Sequence, residues 1–218
     1  MMDRRRALMG AKKETALKIK DVDAGAEFRF SETGTSFIYL GVINGAAWLL
    51  RDQVLQTGVK MRTGALCDYE NSAIDTYLST TWIDSFSQKS KDAMADTTVT
   101  FQASDGTALS SKSITRKAFL LSRPQVETNE NSVLSALKKY KNTTSGNTAR
   151  IARDSGGTER AWWTCTAIST TNMCVVATSG STGTAAPNNG SGLYYRRPVL
   201  SINKETEVKL VNGVYVMA

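Results

Sequence analysis

The chain has 218 residues, 41% of them apolar, a net charge of +7, three cysteines and no histidine. That is enough apolar material for a substantial core, but stretches such as AAWLL at 46–50 fall far short of the roughly 20 residues of a membrane-spanning helix. Without histidine the chain can build neither a Ser-His-Asp nor a Cys-His apparatus, nor the Cys/His set of most zinc sites, so neither a metal nor a cofactor is expected.

Charge is concentrated at the start. Arg4, Arg5, Arg6, Lys12, Lys13, Lys18 and Lys20 stand against Asp3 and Glu14, which places +5 of the +7 in the first twenty residues. No continuous apolar stretch follows MMDRRRALMGAKKE, so it does not read as a secretory signal, and synthesis in a cytoplasm is expected. Ala7, Leu8, Ala11 and Leu17 allow a short amphipathic helix weakened by Gly10, and an arm that orders only on binding fits equally well. Residues 1–25 are therefore read as a basic arm for assembly, with Arg4, Arg5, Arg6, Lys12 and Lys13 as its contacts, and residues 26–218 as one domain.

SFIYLGVINGAAWLL at 36–50 is rich in β-branched and aromatic residues and breaks at Asn44-Gly45, a dipeptide suited to a type I′ turn; it predicts a hairpin. In 71–86, Ile74, Tyr77, Leu78, Trp82 and Phe86 fall close to one helical face, with Asn71 or Ser72 as N-cap. TTVTFQ (97–102) and KAFLLS (117–122) predict strands. A second helix is predicted at 130–140 from Val133, Leu134, Leu137 and Tyr140, with Lys138, Lys139 and Lys141 at its favourable C-terminal end. Residues 142–160 and 178–192 are rich in Gly, Ser, Thr and Asn and read as loops. RAWWTCTA (160–167), MCVVAT (173–178) and YYRRPVLSI (194–202) read as strands, and EVKLVNGVYVM (207–217) as a hairpin turning on Asn212-Gly213. No repeat or linker interrupts the pattern. It predicts one α+β domain whose two ends lie close together.

Three features of the last third invite a functional reading. On a strand, Trp162 and Trp163 point to opposite faces; either both are buried, or one of them, with Trp162 as the candidate, is a stacking platform. Cys165 and Cys174 can meet across neighbouring strands, but an odd cysteine count in a cytoplasmic product favours buried, reduced thiols. In YYRRP, Arg197 either stacks on an aromatic or pairs with a carboxylate inside the fold, and Pro198 marks an edge or a bulge. Tyr194 and Arg196, next to the loop carrying Asn188 and Asn189, are the candidate ligand-binding residues, because Tyr, Ser, Gly and Asn are the residue types of adaptable binding surfaces.

Four motifs recur in order. They are S72-A-I-D-T-Y-L-S-T-T-W82, F119-L-L-S122, W162-W-T-C-T166 and R196-R-P-V-L200. Their order and spacing from residue 36 to residue 202 resemble a family of uncharacterised domains common in phage and prophage proteins. That family looks like the C-type lectin-like fold, which also carries the hypervariable proteins of diversity-generating retroelements and some phage fibre tips. The resemblance implies twisted, mixed antiparallel sheets with two main helices and long loops in the C-terminal half. It also implies a non-enzymatic virion structural protein (tail fibre, baseplate or capsid decoration) located in the particle after assembly in the host cytoplasm. Its partners would be other virion proteins, a host-surface receptor or glycan, and further copies of itself. A cell-surface or secreted lectin-like binding protein of the diversity-generating type is the alternative. Nucleic acid is not expected, because no RRM-like, helix-turn-helix or zinc-finger pattern accompanies the arm. The chain departs from calcium-dependent lectins in having only Ala186-Pro187-Asn188 where they carry a carboxylate. Formylglycine-generating oxidases share the fold and use a cysteine pair, for which Cys165 and Cys174 are the candidates here, in surroundings too apolar to activate a thiol.

Overall fold

The two Asn-Gly dipeptides organise the largest sheet. In the computed structural model, which describes residues 16–55, 57–127, 146–188 and 194–218, Asn44 and Gly45 both have positive φ (49° and 83°), as a type I′ turn requires. They join β3 (Ser36–Ile43) to β4 (Ala46–Arg51), with a bulge between Tyr39 and Gly41. Asn212 and Gly213 (52° and 82°) likewise join β14 (Glu207–Val211) to β15 (Val214–Met217). Together with β1 (Leu17–Lys18), β2 (Glu27–Arg29), β7 (Ala118–Leu120) and β13 (Pro198–Ile202), these strands form an eight-stranded sheet in the order β1-β14-β15-β2-β3-β4-β13-β7. Only the β15–β2 pair in it is parallel. Every residue of β13 and Ala46–Leu50 of β4 are buried, so the middle of this sheet is covered on both faces and needs near-continuous apolar sequence.

A second sheet contains β8 (Ala152–Arg153), β9 (Glu159–Ala167), β10 (Met173–Val176), β11 (Thr182–Ala185) and β12 (Tyr194–Tyr195). Its main path runs β11-β10-β9-β12, with β8 pairing β9. A two-stranded ribbon, β5 (Thr97–Ser104) and β6 (Leu109–Arg116), lies with β5 against β9.

The helices are short. Ser72 caps α1 (Ala73–Tyr77) by accepting from the Asp75 amide at 3.1 Å, and the helix continues through a wide π turn over Leu78–Trp82. Spacing explains that turn. Ile74, Leu78, Trp82 and Phe86, all buried, recur every four residues, which in a regular α-helix swings each successive side chain by about 40°; a wider turn offsets part of that drift. Trp82 and Phe86 thus reach Phe30 and Phe37, with ring centroids 5.1 Å apart for Phe30–Phe86 and 5.4 Å for Phe30–Phe37. The remaining helices are α2 (Gln88–Ala93), α3 (Arg123–Val126) and α4 (Gly146–Arg150).

The protein is therefore a mixed α+β fold, mostly sheet with a few short helices. The helix predicted at 130–140 and the arm residues Arg4, Arg5, Arg6, Lys12 and Lys13 lie outside the described residues. The arm boundary at residue 25 is corrected: β1 pairs β14, Ile19 is fully buried, and Lys18 and Lys20 pair with Glu207 and Glu205 at 2.8 Å each. The domain thus begins by Leu17. The loop predicted at 178–192 contains β11. YYRRPVLSI is two strands in different sheets, broken at Arg196-Arg197, and Pro198 sits at neither an edge nor a bulge. It opens β13, a strand flanked by β4 and β7, and the first position of a strand tolerates the missing N–H. Among the described residues, no helix is long and apolar enough to cross a membrane.

Candidate functional site

β9 runs through the second sheet with both faces sealed. Trp162 and Trp163 are each completely buried and point oppositely. The Trp162 indole Nε1 donates to the Arg150 carbonyl at 3.1 Å; the Trp163 Nε1 donates to the Val59 carbonyl at 2.8 Å. Both rings therefore satisfy their single donor internally. Trp162 offers no face to solvent, which corrects its candidacy as a stacking platform.

The two arginines of YYRRP are also internal. Arg197 is fully buried with its guanidinium 5.5 Å from the Trp162 ring centre. It donates from Nε to the Arg51 carbonyl (3.1 Å), from Nη2 to the Asp52 carbonyl (3.3 Å) and from Nη1 to the Arg150 carbonyl (3.4 Å). The predicted contact with an aromatic ring is present. Arg196 is only 9% exposed. Its guanidinium lies 3.8 Å over the Tyr77 ring, and its carbonyl accepts from the Leu55 amide at 2.8 Å. Its predicted place on a binding surface is corrected for that reason: the side chain is spent on packing onto α1.

Two of the predicted binding residues do reach the surface. Tyr194 is half-buried, its ring 4.8 Å from Trp163 and its carbonyl held by the Val59 amide at 2.8 Å. Asn188 is exposed in the turn after β11, where the Pro187 carbonyl accepts from the Arg62 amide at 3.0 Å. Asn189 lies outside the described residues.

All three cysteines are free and buried. Cys174 lies where the β9–β10 register shifts, and its carbonyl accepts from the Thr164 hydroxyl at 3.0 Å. Burial pushes the thiols of Cys165 and Cys174 up, opposite to the direction that thiolate chemistry uses. Among the described residues, no group of three or more Cys, Asp or Glu is placed to hold a metal ion.

A cleft of about 350 Å³ that sequence reasoning missed opens between the end of β4 and the β8–β9 turn. It is lined by Asp52 and Gln53 on one side and by Thr148, Ile151, Arg153 and Asp154 on the other. Its walls are tied together: the Val54 amide donates to the Arg153 carbonyl at 3.0 Å, while Arg197 spans the Arg51, Asp52 and Arg150 carbonyls behind it. The turn itself is organised by Asp154. Its carboxylate accepts from Arg160 Nε (2.7 Å) and from the Gly156 and Thr158 amides (3.0 Å each), and the Arg160 guanidinium is the main cause holding that carboxyl below its ordinary range. The only sequence signal was DSGGT at 154–158, an Asx-turn pattern that says where the chain bends and not what faces it.

No curated protein and no solved structure matches the chain. A family model described as a domain of unknown function, DUF6273, matches residues 44–204, a span that takes in all four motifs, the Arg197 clamp and the cleft. The chain belongs to the DUF6273 family.

Proposed function

We propose that the chain is a non-enzymatic recognition module of a phage or prophage particle: a lectin-like scaffold that presents Asn188 and Tyr194 outward and is joined to neighbouring particle proteins by its basic arm. One observation carries the reading. Tyr194 is half-buried with its ring tilted against that of Trp163, which is fully buried and hydrogen-bonded, so an aromatic contact residue is held in place at little entropic cost. The four ordered motifs support the phage setting by resemblance.

The test uses particles. Asn188→Ala with Tyr194→Ala should lower particle attachment to host cells while the melting temperature of the purified protein stays nearly constant; a large thermal loss instead would make Tyr194 a core residue and sink the surface reading. Deleting residues 2–14 should block incorporation into particles and leave the domain folded, and normal incorporation would refute the arm's role. Antibody labelling of the bacterial envelope without labelling of particles would transfer the same surface to the alternative, a cell-surface binding module. Nucleic-acid affinity that falls steeply with salt would replace the proposal altogether.

A further inference from the structure

Among the described residues β6 pairs only with β5, and its outer flank lacks what usually guards a sheet edge. Edge strands are normally protected by bulges, prolines or outward charge. The eight residues of β6 pair β5 without a register shift and include no proline. Its two cations face inward, Lys112 onto Asp68 and Glu70 and Arg116 onto Asp75. The ladder fixes which backbone groups are open. On β5 the Ser104 amide donates to the Cys67 carbonyl and the Thr98 carbonyl accepts from Asn44 Nδ2, at 2.8 Å each, both on the side away from β6. Antiparallel alternation then turns the N–H and C=O of their partners on β6, and of every second residue between them, to the open flank. Those residues are Leu109, Ser111, Ser113 and Thr115. The Thr115 carbonyl is taken by Arg116 Nη1 at 3.0 Å; the backbone groups of Leu109, Ser111 and Ser113 have no partner there among the described residues.

We propose that two copies of the chain pair through this flank, β6 against β6 and antiparallel, with the twofold axis at Ser111. Ser111 then meets Ser111 of the second copy and Leu109 meets its Ser113, each pair exchanging both N–H···O bonds. This register uses the three open residues and stops where Arg116 closes the Thr115 carbonyl. It sets Lys112 opposite Ser110 of the second copy and not opposite another cation, and each cation of β6 is already neutralised within its own chain, so two copies approach without like-charge repulsion. Leu109, 40% exposed, gains cover from across the axis. A second copy suits the edge better than a foreign strand does: recognition of a foreign strand draws its specificity from pockets for alternate side chains, whereas Ser111, Ser113 and Thr115 are short and exposed. Pairing closes at two copies, because the far side of β5 is engaged at Thr98 and Ser104. Neither the surface at Asn188 and Tyr194 nor the particle setting enters the proposal.

Sedimentation velocity on the full chain should show a monomer–dimer equilibrium at concentrations up to about 1 mM, the weak range of an interface smaller than about 1,200 Å². Ser111→Pro removes an N–H that points to the open flank and not to β5, so it should abolish the dimer with little change in melting temperature. Because Ser111 faces itself across the axis, Ser111→Lys and Ser111→Glu should each sediment as monomers, while an equimolar mixture of the two should recover the dimer. The charge pair keeps the test decisive if Ser111→Pro fails to fold. A chain that stays monomeric at about 1 mM overturns the proposal. So does a dimer that persists in folded Ser111→Pro or in both charged variants, which would place the contact on another surface, and so does a Lys/Glu mixture that remains monomeric.

Discussion

Arg197 shows how much one side chain can fix. Its guanidinium joins three carbonyls from two separate segments and rests on Trp162, and Trp162 in turn donates to the same Arg150 carbonyl. Arg197→Ala should cost about 3 kcal/mol in chemical denaturation, because it strands buried acceptors. Arg197→Lys should recover only part of that, since an ammonium cannot span the fork. The sequence pointed to an internal role for this residue, on an aromatic or with a carboxylate, but placed Arg196 at the surface by simple strand alternation. Alternation failed because the strand breaks at those two residues, and nothing local announces the break. The acid response also belongs to single residues. The carboxyl of Asp105 is pushed down to about 2, chiefly by the Ala108 amide and then by Thr107, and that of Asp154 is lowered chiefly by Arg160. A carboxyl with a lowered folded-state pKa stabilises above its unfolded value and loses that contribution as pH falls through the folded one. Melting temperature should therefore hold steady down to about pH 4 and drop between about pH 4 and 2; a flat profile across that window would refute these pairings. The thiols supply a further check at neutral pH: a thiol-reactive dye should label none of Cys67, Cys165 and Cys174 until the protein unfolds.

Among the elements, those with a specific turn chemistry were legible and those made by pairing alone were not. Both Asn-Gly hairpins are where the dipeptides put them, and Gly45→Ala or Gly213→Ala should each cost about 1 kcal/mol by forcing a Cβ onto positive φ. Ser72→Ala should cost about the same through the lost cap. By contrast, β6 reads LSSKSITR and β11 reads TGTA, with too few apolar residues to signal a strand. β6 is a strand because β5 offers it eight consecutive partners, with Lys112 and Arg116 tied to Asp68 and Asp75 on its inner side; β11 is one because β10 does the same across four. Such contacts lie in the tertiary structure, beyond any sequence window. The cleft was invisible for the same reason, since its two walls are about a hundred residues apart in sequence.

At the scale of the whole molecule, composition and pattern were enough to reach a mixed α+β fold with its two ends together, and the β1–β14 pair joins them. They did not reach the strand order. β13 enters the large sheet between β4 and β7, and β15 lies between β14 and β2, so residues from both extremes of the chain interleave. This order has a consequence for how the protein is made. Until residues 198–217 have left the ribosome, β4 with its Trp48, Leu49 and Leu50 has an unpaired flank and β2 has no neighbour on one side. The nascent chain thus carries an open apolar edge until those residues emerge, and the sheet closes only then. Ribosome-stalled chains ending near residue 195 should be protease-sensitive and bound by a holding chaperone, whereas chains extended past residue 217 by a linker long enough to clear the exit tunnel should be resistant.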